Sequence, residues 1–112
     1  MSIGLRSQVK SAPISVAASG DNTIVAAVPG KVIVVVALLL VNGVATAQNV
    51  TVKDGASNLL TGAMALGTTA VPMFLDEKSD FEYFSTSNPA NNLVLNLSAA
   101  TQVSGTVWYI LE

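Results

Sequence analysis

One stretch limits the fold more than any other. Residues 32–41, VIVVVALLLV, are an unbroken apolar run between Lys31 and Asn42-Gly43. A membrane-spanning helix needs about 18 or more apolar residues, so this run is too short to cross a bilayer. Its β-branched content and the turn residues beside it read as a strand. Under strict alternation Ile33, Val35, Ala37, Leu39 and Val41 share one face, and Val32, Val34, Val36, Leu38 and Leu40 the other. Leaving either set in water forgoes about 1.5–3 kcal/mol per side chain, roughly 7–15 kcal/mol in all. That matches the net stability of a whole domain. Both faces therefore need cover.

Two sources of cover are open. One is internal, with residues 56–70 or the N-terminal arm folding across the strand. The other is a symmetric homo-oligomer in which copies of the strand pack around a shared axis. Composition favours the oligomer: of 112 residues, 51% are hydrophobic and only 11% charged. That charge share is about half the usual one, and a small, sparsely charged domain gains core by associating. The candidate interface residues are Val34, Val36, Leu38 and Leu40, with Trp108 as an aromatic anchor.

The rest of the chain alternates short strands with turns. Ile14–Ala18 ends at Ser19-Gly20-Asp21-Asn22, and Thr23–Val28 ends at Pro29-Gly30. Asn42-Gly43 signals a tight hairpin after the long strand, because both residues accept positive φ. Val50 and Val52 alternate with polar neighbours up to Asp54-Gly55. Residues 56–70 read as a loop with a brief strand, or as a short helical turn. Val71–Leu75 reads as an edge strand restricted by Pro72. Asp76–Asp80 is a charged turn before the aromatic Phe81–Phe84. Leu93, Leu95 and Leu97 form the cleanest alternation, and Val103–Leu111 is the closing strand, where Gly105 marks a bulge or a close backbone approach. Roughly eight strands without an amphipathic helix define an all-β fold. The expected architecture is a single β-sandwich, jelly-roll-like, over residues 13–112, preceded by an extended N-terminal arm over 1–12. Fully stretched, that arm reaches roughly 40 Å.

The chemistry-bearing residues exclude more than they suggest. The net charge is −2, and Arg6, Lys10, Lys31, Lys53 and Lys78 are scattered, which gives no electrostatic footprint for nucleic acid. There is no Cys and no His, which removes thiolate chemistry, histidine triads and almost every zinc or haem site. Asp76, Glu77, Asp80 and Glu82 cluster, but Lys78 lies among them and the spacing is not that of an EF-hand, so they read as a solvated turn. Asn49-Val50-Thr51 and Asn96-Leu97-Ser98 match the glycosylation sequon, yet read more simply as outward polar residues of strands. The N-terminal MSIGLRSQVKSA lacks the apolar core of a secretory signal. The expectation is a non-enzymatic protein with no cofactor, no metal site, no nucleic-acid partner and no membrane partner.

Three stretches in order carry a family likeness: SVAASGDNTIVAAVPGKVIVV, NVTVKDGASNLLTG and NNLVLNLSAATQVSGTVWYILE. In order and spacing they resemble the small β-sandwich virion proteins of tailed bacteriophages, over the length from Pro13 to the end. The resemblance implies a structural protein that decorates or cements the capsid, commonly as a trimer, bound to the lattice of the major capsid protein. Its place would be the virion surface after synthesis in the host cytoplasm. In that setting Ser2, Ile3, Leu5, Arg6 and Lys10 of the arm would clamp a neighbouring capsid subunit. The alternative is a fibre-associated host-receptor or carbohydrate-binding module, in which Tyr83, Trp108 and Tyr109 would stack on sugars.

Overall fold

The computed structural model describes residues 9–69, 72–75 and 84–112. Among them every regular element is a strand: β1 (Lys10–Val16), β2 (Gly20–Val25), β3 (Ile33–Asn42), β4 (Gln48–Asp54), β5 (Asn58–Leu59), β6 (Met64–Leu66), β7 (Met73–Leu75), β8 (Phe84–Ser85), β9 (Leu93–Leu97) and β10 (Val103–Leu111). One antiparallel sheet runs β1-β10-β3-β7, with β8 also on β3. The second runs β2-β9-β4-β5, with β6 also on β4. Since β10 occupies one edge of β3, β7 and β8 share the other edge, opposite Leu38–Leu40 and Val34–Val35. In the same way β5 and β6 share the outer edge of β4. Each sheet thus has four positions, and the chain passes from sheet to sheet at almost every connection. This is jelly-roll connectivity, as expected.

The sandwich interior is aliphatic. Leu93, Leu95 and Leu97 of β9 and, beside them in the same sheet, Val50 and Val52 of β4 share one buried cluster with Leu38 and Leu40 of β3 in the opposite sheet. The leucine alternation of β9 is therefore an inward row, with Asn96 between.

Strand β3 departs from strict alternation. Tyr109 pairs with Val35 and Trp108 with Ala37, so Val36 is an extra residue on β3. This bulge shifts the pleat by one. Ile33 and Val35 face inward before it, and Leu38 and Leu40 face inward after it. Each face expected from the sequence is thus half inside and half outside. Gly105 serves close approach instead: a Cβ there would fall on the Leu39 carbonyl oxygen and 2.8 Å from its carbon.

The hairpin expected at Asn42-Gly43 does not form. Strand β3 belongs to one sheet and β4 to the other, so the chain crosses between them. Among the described residues Gly43 is not one of the positive-φ glycines, which are Gly20, Gly30, Gly55 and Gly105. The Asn42 side chain instead braces the crossover: its amide nitrogen donates to the carbonyls of Thr46 (2.6 Å) and Gly67 (2.9 Å). By contrast, Val28-Pro29-Gly30-Lys31 closes as a turn, with the Lys31 N–H donating to the Val28 carbonyl at 3.0 Å. The expected arm boundary at Pro13 also moves, because β1 begins at Lys10 and Pro13 lies inside it, on a sheet edge that tolerates a missing N–H.

Candidate interaction surface

The two outer faces of the sandwich differ in chemistry. On the β2-β9-β4 sheet, Asp21, Asn96 and Lys53 meet. The Lys53 ammonium donates to both Asp21 oxygens (2.9 and 3.0 Å), and the Asn96 amide donates to Oδ1 at 2.8 Å. The Asn96 hydrogen bond and then the Lys53 contacts hold the Asp21 carboxyl below its ordinary pKa. Thr23 and Thr51 flank this group. It is a water-facing surface.

The β1-β10-β3 sheet is different. Between β1 and β3 its outward positions are Ser11, Pro13 and Ser15, then Ser104, Thr106 and Trp108, then Leu39 and Val41, none of them charged. Leu39, Val41 and Trp108 are half-buried. Further along, Val34, Val36 and Ala37 also lie outside the core cluster yet are 5%, 4% and 5% exposed. The single chain already covers this part of the face.

These facts divide the residues expected at a partner interface. Leu38 and Leu40, 1% and 0% exposed, belong to the intramolecular core, because the bulge turns them inward. Val34 and Val36 lie outside the core cluster but are buried within the chain. Trp108 faces outward beside them, half-buried. Of the arm, Lys10 is exposed at the start of β1, opposite Tyr109. Ser2, Ile3, Leu5 and Arg6 lie outside the described residues, as do Asp76, Glu77, Asp80, Glu82 and Tyr83. Tyr109 packs against the core, and both sequons lie on or beside paired strands.

Four buried polar side chains among the described residues were not anticipated. Inward positions on β4 are Gln48, Val50, Val52 and Asp54, so an apolar row is capped by a polar group at each end. At one end Asp54, 1% exposed, accepts from the Asn58 amide (3.0 Å), the Ser87 N–H (2.9 Å) and hydroxyl (2.7 Å), and the Asn91 amide (2.8 Å). Burial pushes its pKa up, but the hydrogen bonds from Ser87, Asn91 and Asn58 outweigh this, and the carboxyl sits below its usual value. This node ties the loop after β4 to the loop before β9. A cleft of about 400 Å³ opens beside it, lined by Ala27, Pro29 and Gly30 on one side and Asn88, Pro89 and Ala90 on the other. At the opposite end the Gln48 amide nitrogen donates to the Thr101 carbonyl (3.0 Å) and hydroxyl (2.6 Å). Asn42 is the third such side chain, and Thr86, whose hydroxyl accepts from the Ile33 N–H at 2.8 Å, is the fourth. The parity of Gln48 and Asp54 with Val50 and Val52 was the available signal.

Chemically, the arrangement offers surfaces and fixed loops. Asp54 meets only donors, and among the described residues no three Asp or Glu side chains converge as a metal site. No protein-family model matches the chain, and no curated protein matches it.

Proposed function

We propose that this chain is a non-enzymatic structural protein of a tailed-bacteriophage virion, a capsid decoration protein that binds the major capsid lattice as a homo-oligomer, most simply a trimer. The observation that supports this best is the contrast between the two outer faces: one polar and water-facing, the other uncharged across β1, β10 and β3. Depletion of charge is the compositional mark of an interface centre. The family likeness over Pro13 to the end adds the virion setting.

Magnitudes shape the proposal. Val34, Val36 and Ala37 are already covered, so a partner on this face gains mainly from Leu39, Val41 and Trp108. Half-exposed side chains of this size return roughly 1 kcal/mol each, or about 3 kcal/mol together. Micromolar association needs about 8 kcal/mol, so the assembly draws on more than this face. The N-terminal arm, with Ser2, Ile3, Leu5 and Arg6 leading into Lys10, supplies the second contact by clamping a neighbouring capsid subunit.

The test is co-sedimentation with expanded capsids assembled from the major capsid protein of the same genome. The full chain is expected to saturate the lattice, and a chain lacking residues 2–8, which leaves β1 intact, to lose most of its occupancy. Equal occupancy of the two chains removes the arm's role. No binding by the full chain overturns the decoration reading, and a stable monomer by light scattering at micromolar concentration overturns the oligomer.

A further inference from the structure

The crossover after β3 contains a chemically labile dipeptide in an unusual setting. In an Asn-Gly sequence the glycine has no side chain to shield its nitrogen. That nitrogen can attack the Asn side-chain carbon: a bond from Gly43 N to Asn42 Cγ forms, the Cγ–Nδ2 bond breaks, and ammonia leaves with the proton from the glycine nitrogen. Water then opens the resulting ring at either carbonyl, giving aspartate or isoaspartate. The net change is loss of ammonia and gain of water.

Each step of that attack is opposed by the folded corner. Asn42 is 2% exposed and is the last residue of β3, paired with Val103 of β10. Its Nδ2 donates to the Thr46 and Gly67 carbonyls, which fixes the orientation of Cγ. The nucleophile is engaged too, since the Gly43 N–H donates to the Gln102 carbonyl at 2.8 Å.

We propose that Asn42 is a deamidation site gated by the fold, silent while the β3–β4 corner is closed and reactive once it opens. The conversion is also one-way. Aspartate at position 42 places a carboxylate oxygen where an amide N–H now meets the Thr46 and Gly67 carbonyls, setting acceptor against two acceptors in a part-buried site. Isoaspartate inserts an extra backbone carbon at the Asn42–Val103 pair. A chain that has opened long enough to react cannot close this corner again, so residue 42 records the opening history of the molecule.

The wild-type chain is incubated at mildly alkaline pH, once folded and once in urea above its unfolding midpoint, and peptide mass mapping reads conversion at residue 42. The folded chain is expected to convert slower by roughly a hundredfold or more, the factor set by how rarely this hydrogen-bonded corner opens. With sub-denaturing urea its rate should rise in step with hydrogen exchange of the Gly43 amide. Equal rates in folded and unfolded chains overturn the gate. For the one-way claim, Asn42→Asp is expected to lose cooperative unfolding at neutral pH and regain it on acidification, when the protonated carboxyl can donate to a carbonyl. An Asn42→Asp chain with the wild-type midpoint at neutral pH overturns that claim. The rate comparison uses only the wild-type chain and so decides the gate whether or not the variant folds.

Discussion

Replacing Asp54 by Asn tests the polar node that ties two loops together. The change is isosteric, but four donors converge on the carboxylate: the Asn58 and Asn91 amides, the Ser87 N–H and the Ser87 hydroxyl. An Asn side chain offers one acceptor oxygen and turns an NH2 group toward the remaining donors. Hydrogen bonds to a charged group contribute about 1.5–3 kcal/mol each when buried. Asn58 and Ser87 are surface residues whose groups regain water, so the gross figure is heavily discounted. The expected loss is about 2–4 kcal/mol, read as a lower urea midpoint at unchanged slope. The pH profile carries the sign. The native carboxyl titrates below its unfolded value, so its contribution is complete above about pH 4 and disappears as pH falls through the lowered native pKa. The gap between wild type and Asp54→Asn should therefore be constant near neutrality and close on acidification. A loss under about 0.5 kcal/mol at neutral pH, or a gap that does not narrow in acid, would refute the reasoning.

Four further substitutions test the structure. Leu38→Ala should cost about 2–5 kcal/mol in chemical denaturation and Leu39→Ala under about 1 kcal/mol, because the bulge puts Leu38 inside and Leu39 outside; the reverse order would restore strict alternation. Gly105→Ala should cost about 3 kcal/mol or more, or abolish soluble folded protein, since the new methyl meets β3 backbone that no rotamer change can move; a near-native melting temperature would contradict that approach. Lys53→Met should change stability by less than about 1 kcal/mol and remove part of its salt dependence, as its partner Asp21 is exposed.

Several features were legible because they depend on local pattern. The closing strand Val103–Leu111 coincides with β10, and the alternation of Leu93, Leu95 and Leu97 marks an inward row. Period-2 patterning and turn residues act over a few neighbours, so they can be read without knowing what packs against them. The polar residues that close the ends of the sandwich were not legible in that way. Asp54 reads as the start of a turn and Asn42 as half of a hairpin, since beyond one partner four residues on, what holds each lies 25–37 residues away, at Gly67 for Asn42 and at Ser87 and Asn91 for Asp54.

The apolar run at 32–41 shows where the division falls. Its composition by itself determined a long strand that needs cover on both faces, because ten consecutive apolar side chains cannot be left in water. Which residues point where was decided by pairing with β10. One extra residue at Val36, opposite the step from Trp108 to Tyr109, reverses the pleat and carries Leu38 and Leu40 from the expected interface into the core. A bulge leaves no mark in a uniformly apolar run, since every register buries the same kind of side chain. Only the neighbouring strand could select one.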